Sequence, residues 1–204
     1  MSVGRYDEKM KIVLIGGFFG SGKTTITANL TRQMLARSER VCIVENEIGQ
    51  IGVDDLLLER GGVEVTTITG GCVCCQVTGS LVDALRDMEQ RFDPEWVLAE
   101  LTGIAYLDGL RHTMESCLPK TCSIICVAVA DASRWASLSR ALPKVIERQT
   151  EGADLLVINK ADLNGDTEKI EAEVRQMGVS CPVFPMSAVT DSGARLLAEV
   201  EKAF

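Results

Sequence analysis

Histidine is all but absent: among 204 residues there is one, His112, which excludes a His-rich metal-storage tract and is itself expected to be an ordinary surface residue. Long apolar runs are missing as well. The longest, Ser123–Ala130 and Asp154–Asn159, fall far short of the roughly 20 residues that a bilayer-crossing helix needs. Residues 1–10 are polar with no apolar signal core, so neither membrane attachment nor secretion is expected, and the expected compartment is the cytoplasm. Positive charge is in deficit too. Against 29 Asp and Glu stand 21 Lys and Arg, a formal charge of -8 with no basic cluster, which disfavours nucleic acid as a partner. No linker, internal repeat or low-complexity segment interrupts the chain, and 46% hydrophobic with 25% charged residues is a globular composition. One domain over residues 10–204 is expected, preceded by a flexible N-terminus, 1–9.

Cysteine is not scarce. Eight of them without a secretory signal point to a reducing compartment, where clustered thiols serve metal or redox chemistry more often than a disulfide framework. Cys42, Cys117, Cys122, Cys126 and Cys181 are scattered and read mostly as buried small apolar residues. Cys72, Cys74 and Cys75 are not scattered.

Hydrophobic patterning alternates between strand and helix. Strands are expected at Lys11–Ile15, Val41–Val44, Val63–Ile68, Trp96–Ala99, Ser123–Ala130, Leu155–Ile158 and around Val183–Pro185. Helices are expected at Thr24–Leu35, Ser80–Gln90, Tyr106–Ser116, Arg134–Arg140, Lys144–Glu151, Thr167–Gln176 and at the C-terminus. Parallel neighbours need crossover connections, so this order predicts an α/β fold with a mostly parallel central sheet covered by helices on both faces.

Between the first strand and first helix, residues Gly17 to Thr24 read G-F-F-G-S-G-K-T, matching the phosphate-loop pattern G-x-x-x-x-G-K-S/T in its required place. Glycines let the backbone turn so that successive N–H groups face phosphate oxygens, and the following helix adds its positive end. Gly20, Ser21, Gly22, Lys23, Thr24 and Thr25 are the expected phosphate contacts. Lys23 would bridge the β- and γ-phosphates, and Thr24 would ligate magnesium.

After the sixth strand comes Asn159-Lys160-Ala161-Asp162, an N-K-x-D arrangement. A carboxylate at Asp162 can accept hydrogen bonds from guanine N1–H and the 2-amino group, which adenine lacks. Asn159 would hold the loop and contact the base, the Lys160 stem would cover the base face, and Ser187-Ala188 fits a further base-contacting loop. At the end of the fourth strand, Glu100 would hold a magnesium-bound water and Gly103 would offer its N–H to the γ-phosphate. No glutamine follows Gly103, so slow intrinsic hydrolysis is expected, raised by a partner or by dimerisation. Lys23, Glu100 and Asp54 are the candidate catalytic residues, with Asp55 an alternative to Asp54 for orienting the attacking water.

Gly70-Gly71-Cys72-Val73-Cys74-Cys75 puts three thiols within four residues. In a straight strand Cys72 and Cys74 share a face and Cys75 opposes them, so convergence needs a turn, which the two glycines permit. Three thiolates suit zinc and leave a fourth position for a carboxylate, water or incoming ligand. Glu45 and Glu47 are candidates for it.

These motifs resemble the metallochaperone GTPases that include CobW-type cobalamin-synthesis proteins and the urease and hydrogenase accessory GTPases. The likeness rests on Gly17–Thr25, Glu-Asn-Glu-Ile-Gly at Glu45–Gly49, Gly-Cys-Val-Cys-Cys at Gly71–Cys75, Glu-Leu-Thr-Gly at Glu100–Gly103 and Asn159–Asp162, in the family's order. The Cys-x-Cys-Cys element is characteristic of the CobW-type branch. Gln50 stands where the family usually has an acidic residue, and the chain ends at Phe204 after one GTPase domain, without the second domain typical of CobW-type members. The resemblance implies a P-loop fold and a GTPase dependent on GTP and magnesium. It implies loading of zinc, cobalt or nickel into a client metalloprotein or cofactor-assembly protein, often through nucleotide-controlled homodimers. Two other functions compete: a nucleotide-switched docking protein that activates a metalloenzyme or corrinoid protein without carrying metal, and a small-molecule kinase.

Overall fold

A computed structural model describes residues 10–45, 63–67, 76–103, 105–163 and 166–204, with the backbone alone for 63–67 and 76–80. The expected flexible N-terminus, 1–9, lies outside them. Seven strands form one sheet: β1 (Met10–Gly17), β2 (Val41–Glu45), β3 (Val63–Thr67), β4 (Trp96–Glu100), β5 (Cys122–Asp131), β6 (Leu155–Asn159) and β7 (Val183–Pro185). Their order is β3-β2-β4-β1-β5-β6-β7 and every pairing is parallel. Seven described helices connect them: α1 (Lys23–Ala36), α2 (Gln76–Phe92), α3 (Leu107–Cys117), α4 (Trp135–Ala141), α5 (Pro143–Thr150), α6 (Thr167–Gln176) and α7 (Ala194–Lys202).

Successive strand residues face opposite sides of a sheet, and both sides here are dry. Ile12, Leu14, Val97, Ala99, Cys126 and Ala128 enter one core with residues of α2 to α6, such as Leu85, Met114, Trp135, Ile146 and Val174. Val13, Ile15, Leu98, Val127 and Val129 enter the other, against Ile26, Leu30 and Met34 of α1 and Leu196, Leu197 and Val200 of α7. The strand order reverses at β1, whose neighbours are β4 and β5. A crevice outside the carboxyl ends of the strands is where such sheets bind ligands.

The expected boundaries of α6 and β7 agree at both ends. Helix α2 instead begins at Gln76, four residues ahead of the expected Ser80 and directly after Cys75. Gly79 and the β-branched Val77 and Thr78 lower local helix propensity, and the chain is helical there regardless. Among the described residues no helix is long and apolar enough to cross a membrane.

The scattered cysteines are less uniform than expected. Cys42 and Cys126 are buried, Cys122 and Cys181 half-buried, and Cys117 is exposed at the end of α3. His112 is exposed, as expected. Arg111 of α3 bonds both the Cys126 sulfur, at 3.3 Å, and the Asp154 carboxylate, which also accepts the Cys126 N–H at 2.7 Å. Burial pushes the Cys126 thiol up to about 11, outweighing Arg111. Thiolate is the reactive form, so at pH 8 iodoacetamide should label Cys117 first and Cys126 last of these five, read by peptide mass mapping over time. Rapid labelling of Cys126 in the folded protein would contradict this.

Candidate nucleotide site

The candidate residues gather at the carboxyl edge of four adjacent strands, where β4, β1, β5 and β6 end in Glu100, Gly17, Asp131 and Asn159. β1 leaves the sheet into the phosphate loop and re-enters the fold as α1. Gly22, left-handed at φ 97°, precedes Lys23 with no side-chain cap, so the first N–H groups of α1 have no capping side chain competing for them.

Lys23 folds back over the loop. Its Nζ donates to Gly17 O at 3.0 Å and Phe18 O at 3.3 Å, and burial lowers its pKa, Arg134 adding to the effect while Glu100 opposes it. A buried cation whose hydrogen-bond partners among the described residues are carbonyls is suited to an anion. Thr24 Oγ1 donates to Glu100 Oε1 at 2.9 Å, bringing two hard oxygens from residues 76 positions apart into contact. Thr25 is half-buried in the first turn of α1. Gly103 packs on the loop so closely that a Cβ there would lie 2.7 Å from Phe19 N and 2.6 Å from its ring, while its carbonyl accepts from Gln149 Nε2 at 2.6 Å.

Asn159 is buried and joins two loops, Nδ2 donating to Ser21 O at 2.7 Å and Oδ1 accepting from Ala188 N at 2.8 Å. Lys160, left-handed at φ 62°, sends Nζ to Gly20 O at 2.7 Å and Asp131 Oδ2 at 2.8 Å. Asp162 is exposed, and its carboxylate has no hydrogen-bond partner among the described residues. Ser187 donates its N–H to Asp191 Oδ2 at 2.9 Å. The buried hydroxyls of Ser21 and Ser187 make no hydrogen bond among the described residues.

Three residues at this edge escaped the sequence reading. Asp131 accepts from Lys160, from Arg134 Nε at 2.7 Å, and from Ser133 N and Oγ at 3.0 and 2.6 Å. Burial pushes its carboxyl up, but the bonds from Lys160, Ser133 and Arg134 outweigh burial and hold it at about 2. Its signal was legible, an acid closing an apolar strand as Glu100 does. Arg134 and Gln149 have no comparable signal, since both lie on or next to helices and reach the site only through packing.

Of the other candidates, Glu45 is buried at the end of β2, level with Glu100 on β4 and Thr67 on β3. Glu47, Asp54, Cys72, Cys74 and Cys75 lie outside the described residues. The segment carrying the thiols departs after Thr67, beside Glu45, and the described chain resumes at Gln76 with α2. Among the described residues no three His, Cys, Asp or Glu side chains form a group suited to a metal ion.

A parallel sheet reversing at β1, with a glycine-rich loop leading from that strand into α1 and an N-K-x-D turn bonded to the loop, defines a P-loop nucleotide-binding fold. Within that class the chain belongs to the CobW/HypB/UreG family, whose nucleotide-binding domain it matches over residues 11–185. It is 26% identical over 189 residues to the zinc chaperone YjiA of Escherichia coli, with 86% of this chain and 57% of YjiA aligned. To the zinc chaperone CobW of Sinorhizobium sp it is 28% identical over 185 residues, covering 76% of this chain and 52% of that protein. The chain thus spans about half the length of these curated relatives. Its fold is similar to that of the hydrogenase maturation factor HypB of Archaeoglobus fulgidus, with TM-score 0.69, 16% identity and coverage of 96% and 90% of the two chains. It is also similar to Zn(II)-bound YjiA GTPase of E. coli, with TM-score 0.64, 22% identity and coverage of 86% and 57%.

Proposed function

We propose that the chain is a GTP-hydrolysing metallochaperone domain that couples its nucleotide state to binding and delivery of a thiolate-bound transition metal. The observation that carries the guanine-nucleotide part is the junction of Asn159 and Lys160 with Ser21 and Gly20, which fixes the base motif to the phosphate loop and leaves Asp162 open toward a ligand. The zinc-chaperone relatives support the metal part.

Magnesium fits the hard-oxygen pair Thr24 and Glu100, a hydroxyl and a carboxylate in contact. When bound it neutralises charge on the β- and γ-phosphates. Lys23 would leave the Gly17 and Phe18 carbonyls for phosphate oxygens, and the Gly103 N–H would meet the γ-phosphate. Asp54 would orient the attacking water. Without a glutamine after Gly103, turnover would be slow until a partner or a second copy of the chain contributes. The cargo metal, zinc foremost and cobalt or nickel as alternatives, would be held by Cys72, Cys74 and Cys75, with Glu45 or Glu47 closing the site. The recipient would be a cytoplasmic metalloprotein or cofactor-assembly protein.

The test is a titration of reduced, metal-free protein with zinc, cobalt and nickel, first with GDP and then with a non-hydrolysable GTP analogue and magnesium. Cobalt or nickel charge-transfer absorption that changes between the nucleotides and is lost in Cys74→Ser is the expected result, with zinc competing for the same site. Metal binding indifferent to nucleotide, or no binding, would leave a nucleotide-switched docking protein as the better function.

A further inference from the structure

Every carbonyl of the phosphate loop from Gly17 to Ser21 is held by a side chain. Lys23 takes Gly17 O and Phe18 O, Asn159 takes Ser21 O, Lys160 takes Gly20 O, and Arg134 Nη2 takes Phe19 O. The last two are not independent. Arg134 Nε at 2.7 Å and Lys160 Nζ at 2.8 Å share one oxygen, Oδ2 of Asp131, whose side chain is 0% exposed. The other oxygen is fixed by the Ser133 N–H and hydroxyl.

The geometry has a consequence for anion binding. In a planar trans peptide the carbonyl points opposite to the following N–H. Holding Phe19 O therefore dictates where the Gly20 N–H points, and a phosphate loop binds through the direction of such groups. Holding Gly20 O likewise fixes the Ser21 N–H, which donates to Phe18 O at 3.1 Å and closes the turn. The loop is rich in glycine and has many alternative conformations to lose. A guanidinium suits the task because it is rigid and planar with several donors, so one side chain meets a carboxylate and a carbonyl at once, which an ammonium on a flexible stem does poorly.

We propose that Arg134, anchored on Asp131, is a positioning residue of the nucleotide site: it holds the Phe19–Gly20 turn in its anion-binding shape and, through the oxygen shared with Lys160, makes the guanine motif and the phosphate loop one unit. The proposal rests on the guanine-nucleotide function above. Arg134 lies next to the first turn of α4 and its side chain is 40% exposed, so its replacement need not disturb the core.

The experiment measures the affinity of GDP and of a non-hydrolysable GTP analogue, with magnesium, at low and high salt, for wild type, Arg134→Ala and Arg134→Lys. Loss of a charge-assisted positioning contact is expected to weaken both nucleotides by about tenfold. The deficit should be the same at both salt concentrations and should persist in Arg134→Lys, which keeps the charge without the fork. Arg134→Ala binding like wild type would overturn the proposal. So would full rescue by lysine with a deficit that shrinks at high salt, because Arg134 would then act as a charge alone. A wild type that binds ADP and not GDP would sink the guanine assignment, and the same comparison made on ADP would still decide the role of Arg134. A wild type that binds neither nucleotide would remove both.

Discussion

Asp162→Asn is expected to lower the affinity for GDP and GTP by about 100- to 1000-fold, the equivalent of losing one hydrogen bond to a charged acceptor and setting two donors against each other. Guanine presents two donors on this edge, N1–H and the 2-amino group, and a carboxylate accepts both. The amide keeps one acceptor, so one contact survives, and turns an NH₂ toward the other donor, so the second contact is replaced by a clash of like dipoles. Xanthine has an oxygen in place of the 2-amino group, so the variant should gain affinity for XDP while it loses GDP. Competition between GDP and XDP for wild type and variant measures both changes. The fold should be unaffected, since Asp162 is exposed and its carboxylate bonds to no described residue, and the urea midpoint of the variant should match wild type. Unchanged GDP affinity would remove the guanine assignment and return the kinase alternative to contention.

Gly17→Ala is expected to destabilise the protein by about 3 kcal/mol or more, through backbone strain combined with overpacking. Gly17 is the last residue of β1 and pairs in register with Val129 on β5. Its φ is +137°, and a Cβ there would sit 2.2 Å from the Val129 carbonyl oxygen. That oxygen belongs to the central strand pair of the sheet and has no rotamer by which to move away. The neighbouring Gly16 supplies the control. The described atoms nearest to a Cβ at Gly16 are those of the Leu107 side chain, at 3.0 Å from Cδ2, and its φ is ordinary, so Gly16→Ala should cost clearly less. Chemical denaturation of both variants makes the comparison. Equal stability of the two would mean that β1 and β5 separate at this end without penalty.

Both outcomes depend on features that differ in how far they can be seen from sequence. The role proposed for Asp162 rests on four consecutive residues behind an apolar strand, and the structure adds that the residue is exposed. The obstruction at Gly17 is invisible in sequence, because its second party, Val129, is 112 residues away. A glycine there announces a turn and no more. Helix α2 shows the same limit from the other side: the sequence pattern places its start at Ser80, and the helix begins at Gln76. The thiols make a third case. Composition treats the five scattered cysteines as alike, whereas Cys117 at a helix end is exposed and Cys126 in the central sheet is not.

What the sequence determined by itself is whatever lies within one turn or one strand. The alternation of strands and helices demands crossovers and hence parallel pairing, G-x-x-x-x-G-K-T allows a tight turn between strand and helix, and N-K-x-D offers a carboxylate suited to a base with two donors. Tertiary structure alone decided the strand order β3-β2-β4-β1-β5-β6-β7, which brings the ends of β4, β1, β5 and β6 side by side. It also decided that Asp131, Arg134 and Gln149 brace a loop more than a hundred residues upstream, directly or through Lys160 and Gly103. The physical reason is that a motif records the chemistry a short segment offers to a ligand, while the groups that hold that segment in shape are chosen by distance in space, which no local pattern encodes.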